Sequence, residues 1–173
     1  MKKFPSFALL SVVAVLSACA GSGAYGPSAE AVLKPTAGNN VAGTVNFRSE
    51  GSAVVVTARV SGLTPGAHGF HIHEKGDCSA PDATSAGGHF NPTGKAHGHP
   101  GHGDHHAGDM PQLVADASGN ASLTATLSTV SIGGGAADIV GRGVIVHAAP
   151  DDFKTQPTGN SGARVACGVI AAR

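Results

Sequence analysis

Tryptophan is absent from this 173-residue chain, tyrosine occurs once and phenylalanine six times. Large rings cannot dominate the core, which must be assembled from Val, Ile, Leu and Ala. An excess of either charge is also missing, because eleven Lys plus Arg balance eleven Asp plus Glu. With no basic run interleaved with aromatics, nucleic acid is not an expected partner. Any steering of a charged small molecule must come from local rather than net charge. The apolar run Phe4 to Leu16, interrupted by Pro5, Ser6 and Ser11, falls short of the roughly 20 residues that span a bilayer as a helix. No window pairs an apolar stripe at helical spacing with capping residues.

Glycine and histidine are abundant. The 26 glycines punctuate short runs of β-type residues, which favours strands joined by turns. Ten histidines are present, nine of them between His68 and His106. That density exceeds what packing of a small domain requires and points to metal.

The amino-terminal segment reads as an export signal, with Lys2 and Lys3 ahead of the apolar run. It ends in Leu16-Ser17-Ala18-Cys19, which resembles the lipobox of bacterial lipoproteins; an ordinary cleaved signal with an incidental cysteine is the alternative. Three cysteines in an exported chain leave one unpaired unless it is modified, and Cys19 stands apart from Cys78 and Cys167. The expected organisation is a signal over residues 1–18, a flexible tether over 19–28 with Cys19 lipidated, and one domain over 29–173. The mature protein would sit in the cell envelope, periplasmic and tethered to a membrane through its lipid.

Within the domain, eight runs read as strands: 31–34, 41–47, 53–60, 67–74, 112–115, 121–127, 143–148 and 163–171. The expected fold is all-β, an antiparallel barrel or sandwich. Two connections, 75–111 and 149–162, are long and hold most of the histidines together with Asp151 and Asp152. Long loops of this kind are usually functional.

In His71-Ile72-His73 the period of two sets both imidazoles on one strand face with Ile72 on the other. The surrounding string Gly69-Phe70-His71-Ile72-His73-Glu74-Lys75-Gly76-Asp77-Cys78 resembles the signature of the copper/zinc superoxide dismutases. The resemblance continues through Gly87-Gly88-His89-Phe90-Asn91-Pro92, His106-Ala107-Gly108-Asp109, Gly141 to His147 and Arg164 to Val169. It implies an eight-stranded Greek-key barrel or sandwich with two long functional loops.

The resemblance also implies roles. His71, His73, His89 and His147 would hold copper, while His89, His97, His106 and Asp109 would hold zinc, with His89 bridging the two ions. Asp151 would accept hydrogen bonds from His71 and His97, Cys78 and Cys167 would form a disulfide, and Arg164 would lie beside copper as a fork of donors for a small anion. The implied reaction is dismutation of superoxide to oxygen and hydrogen peroxide, with His89 and Arg164 as catalytic residues and the superoxide anion as substrate. A homodimer is compatible with the family.

Some residues lie outside the pattern. His68 matches a structural histidine, and Lys154 stands where the family's guiding lysine is otherwise missing or is an ordinary exposed charge. His99, His102 and His105 have no implied role. They are either solvated loop residues or a means of capturing metal, and His105 is close enough in sequence to exchange places with His106. The alternative function is a non-catalytic copper- and zinc-binding lipoprotein. Hydrolysis at an open zinc site fits poorly, since four protein ligands leave no position for water.

Overall fold

Alternation of side chains builds the strands. In the computed structural model, which describes residues 1–2 and 26–173, Val54, Val56, Ala58 and Val60 of one strand turn inward between polar or half-exposed neighbours. Among the described residues nine strands form: β1 (Ser28–Pro35), β2 (Ala42–Glu50), β3 (Ala53–Ser61), β4 (Gly66–His68), β5 (Phe70–His73), β6 (Leu113–Ala115), β7 (Ala121–Leu127), β8 (Gly143–His147) and β9 (Arg164–Ala172). Seven of them make one curled antiparallel sheet in the order β5-β8-β9-β1-β2-β3-β7, and β4 pairs with β6. Among the described residues the only helical piece is a single 3-10 turn, Thr84–Ala86. The core between the walls is aliphatic, with Leu33, Val45, Phe47, Phe70, Ile72, Leu113, Ile139 and Ile170 all fully buried. All but the first two residues of the expected signal, together with Cys19, lie outside the described residues.

Three expectations need correction. The run 67–74, read as one strand, is two. Gly69 is the break, because its N–H donates to the Ala149 carbonyl and its own carbonyl accepts from His147 N–H. The chain thereby leaves β6 and joins β8, and a Cβ at Gly69 would lie 2.6 Å from Ser161 Oγ. The first strand also begins earlier than expected: Ser28, Ala29 and Glu30 pair with Arg48, Phe47 and Asn46, and buried Ala29 draws the end of the expected tether into the sheet. Finally, a third long connection, residues 128–142, joins β7 to β8. Its glycines Gly133 to Gly135 hide the signal, yet Val130, Ile132 and Ile139 anchor it in the core.

Strand β5 is buried on both faces. One edge pairs with β8, and the long loop 74–112 closes the other: Ile72 N–H donates to Gly108 O at 2.8 Å and Phe90 N–H to Ile72 O at 2.8 Å. This loop pairing sets His89 beside His73 and Asp109 beside His71.

Candidate metal centre

Two buried groups of side chains converge here, His71, His73, His89 and His147 in one, and His89, His97, His106 and Asp109 in the other, each with ligand-type atoms within 4.8 Å of one another. His89 belongs to both. Strand β5 supplies two imidazoles, the end of β8 supplies His147 at the point where its register with β9 shifts, and the loop supplies the remainder. His106, not the adjacent His105, lies in the second group; His105 is half-buried with its Nδ1 3.2 Å from Gly103 O.

Each imidazole of the first group has one nitrogen engaged and one free. His71 Nε2 donates to Asp151 Oδ2 at 2.7 Å, His73 Nδ1 to Gly87 O at 2.9 Å, and His147 Nδ1 to Gly162 O at 3.1 Å. This leaves His71 Nδ1, His73 Nε2, His147 Nε2 and His89 Nε2 buried without a hydrogen-bond partner. Such atoms cost about 1–3 kcal/mol each when nothing meets them. Burial also pushes the proton affinity of all four rings down, to about 4 for His89 and about 3 for His147. Neutral rings with convergent lone pairs fit a tetragonal copper ion.

In the second group Asp109 is the hub. Its Oδ2 accepts from His106 N–H at 2.8 Å and Gly98 N–H at 3.2 Å, which aims Oδ1 at the Nδ1 atoms of His89, His97 and His106, 2.9, 3.1 and 3.4 Å away. Burial works against the charge on Asp109, but the surrounding imidazoles outweigh it and hold the carboxyl below its ordinary range. Burial likewise opposes charge on His97, yet the nearby Asp109 carboxylate and the bond to Asp151 raise it to about 9. Three imidazole nitrogens and one carboxylate suit tetrahedral zinc, whose charge would displace the His97 proton.

Asp151 joins the two groups from behind, with Oδ2 on His71 and Oδ1 on His97 Nε2 at 2.9 Å. Its own carboxyl is held low by those bonds against the effect of burial. Three further residues support Asp151 and His97. Gln156 clamps the His97 backbone through both ends of its amide, each at 2.9 Å, and Gln112 Oε1 accepts from Asp151 N–H at 3.0 Å. Gly159, at φ +65°, passes so close that any Cβ would strike Asp151 Oδ1 and come within 2.6 Å of His97 Nε2. Nothing about a lone glutamine predicts such contacts, although Gly159 in a long loop is at least a signal of close approach.

Arg164 opens β9 directly across from His147. Its guanidinium is half-buried and donates to Ala83 O and Gly87 O, both at 2.7 Å, so the carbonyl that orients His73 also orients the arginine. Cys78 and Cys167 are joined, with Cα atoms 5.8 Å apart, and this bond ties the same loop to β9. His68 stays outside both groups, bridging His147 O and Thr64 O at 2.8 Å each.

A curled antiparallel β-sheet with two buried ligand groups sharing one imidazole defines a metalloprotein with a paired metal centre. Residues 41–170 match the copper/zinc superoxide dismutase (SODC) family, and the chain belongs to it. A solved structure described as the clock protein EA4 is similar, with 38% identity and a TM-score of 0.76 over 83% of this chain and 93% of that one.

Proposed function

We propose that this protein is a superoxide dismutase of the cell envelope, with His71, His73, His89 and His147 holding copper and His89, His97, His106 and Asp109 holding zinc. The observation that carries this reading is the shared ring of His89, which offers Nε2 to one group and Nδ1 to the other. Copper, when bound, supplies alternating one-electron oxidation and reduction of superoxide to oxygen and hydrogen peroxide. The protein supplies the rest. Arg164, positive and next to His147 across the strand pair, attracts the anion and presents a planar fork of donors. The His89 ring, its Nδ1 committed to the group around Asp109, would keep its place while Nε2 takes up and returns a proton. Asp151 fixes the tautomers of His71 and His97, and Gly87 O and Gly162 O do the same for His73 and His147.

An intact Cys78–Cys167 bond supports an oxidising compartment and agrees with export and lipid attachment at Cys19. Copper and zinc content measured on the same sample as superoxide turnover tests the function. Stoichiometric metal with rapid dismutation is expected. Full metal loading without turnover would establish the alternative, a copper- and zinc-binding protein that does no catalysis. Mass spectrometry of the mature amino terminus tests the anchor, with a diacylglycerol-modified Cys19 as the expected first residue.

A further inference from the structure

His99 and His102 belong to neither buried group. Both are exposed, on a glycine-rich turn closed by a hydrogen bond from His102 N–H to His99 O at 3.0 Å. That turn brings their rings to a centroid separation of 4.9 Å. His99 is further braced by Phe153, whose ring centroid is 4.5 Å away, and its Nδ1 lies 2.7 Å from the Pro100 carbonyl. Donation at Nδ1 leaves the lone pair on Nε2. This is the arrangement of His73 and His147, each fixed by a backbone carbonyl through one nitrogen and free at the other. Neither ring nitrogen of His102 is committed to a hydrogen bond among the described residues.

We propose that His99 and His102 form a surface chelate for one divalent transition-metal ion, outside the paired centre. Two neutral imidazoles with water in the remaining positions suit Cu²⁺, Ni²⁺ or Zn²⁺ and discriminate against Mg²⁺ and Ca²⁺, which prefer oxygen. His105 is engaged separately: its Nδ1 lies 3.2 Å from Gly103 O, and the residue lines a hollow of about 300 Å³ with Thr93, Lys95, Asp104 and Thr129. Of the histidine-rich run, one pair is therefore assembled for a metal and the third ring is not.

Equilibrium dialysis of the copper- and zinc-loaded protein against micromolar Zn²⁺, counted above whatever metal the protein retains after gel filtration, tests this directly. Saturating the buried groups before that baseline is taken confines the count to sites outside them. One additional zinc per chain is expected, lost in the double variant His99→Asn/His102→Asn and kept in His105→Asn. Because both substituted rings are exposed, circular dichroism of the double variant should match the parent. No additional zinc in the parent would overturn the proposal, as would an additional zinc that survives the double substitution or disappears in His105→Asn.

Discussion

One carboxylate orients two imidazoles, since Asp151 serves His71 with one oxygen and His97 with the other. Replacing it by Asn leaves one acceptor and sets an amide N–H₂ against a ring that also donates, so one of the two rings must turn or change tautomer. Asp151→Asn should weaken zinc binding roughly 10–100-fold, the usual effect of losing a residue that orients a ligand. Competition with a chelator measures it, and an unchanged affinity would mean that Gln156 and the loop backbone hold His97 unaided. Arg164→Gln should preserve metal content while lowering kcat/KM for superoxide roughly 10-fold or more, because local attraction of an anion is lost. A stopped-flow assay should also show a shallower dependence on ionic strength. At this scale the sequence was partly legible. Spacing set His71 and His73 on one strand face, but the family resemblance made them ligands; Asp151 beside Asp152 reads in isolation as a solvated turn, and its role too came from the resemblance. Gln112 and Gln156 left no trace, since their work is done by ordinary amides across 39 and 59 residues of chain.

Strands were legible where one face is buried and the other wet, as in β3 and β7, and least legible where both faces are covered. Strand β5 is such a case: its four residues are all buried, with Phe70 and Ile72 on the core side and two histidines beneath the loop. The break at Gly69 escaped notice because β-type residues flank it on both sides, and only the pairing of distant Ala149 and His147 creates it. The loop 74–112 owes its shape to three ties: pairing with β5, the disulfide to β9, and the Arg164 bonds to Ala83 and Gly87. Cys167 and Arg164 share β9, so the disulfide and the arginine act on the same stretch of loop. Replacing both cysteines by Ser opens a closure of 89 residues, which the chain-entropy relation sets at roughly 4–5 kcal/mol. Denaturant unfolding should show a loss of that order. Turnover per bound copper should fall as well, because the loop that orients the guanidinium is freed; turnover unchanged at full copper content would detach Arg164 from the bond.

For the molecule as a whole, the paired centre is a set of buried ionisable groups whose balance sets stability when metal is removed. Free histidine takes up its proton near pH 6.5. The folded chain refuses it at His71 and His73, and at His89 and His147 until about 4 and about 3, because burial disfavours the charged rings. As pH falls below about 6.5 the unfolded state binds protons that the native state does not. Stability then declines by up to about 1.4 kcal/mol per pH unit for each such ring. His97 has the opposite sign. Raised to about 9 by Asp109 and Asp151 against the effect of burial, it contributes stability that is complete below about 6.5 and lost as pH rises through about 9. The low carboxyls of Asp109 and Asp151 contribute above the ordinary range near 3.8 and lose that contribution only in stronger acid. Four rings acting one way and one the other make the acid side steeper. The urea midpoint of the metal-free protein should therefore drop clearly from pH 7 to pH 5 and less from pH 7 to pH 9. A midpoint that stays flat between pH 7 and pH 5 would show that the native interior accepts these protons as readily as the unfolded chain, and that the free nitrogens facing one another are not held in the dry, neutral state on which copper binding depends.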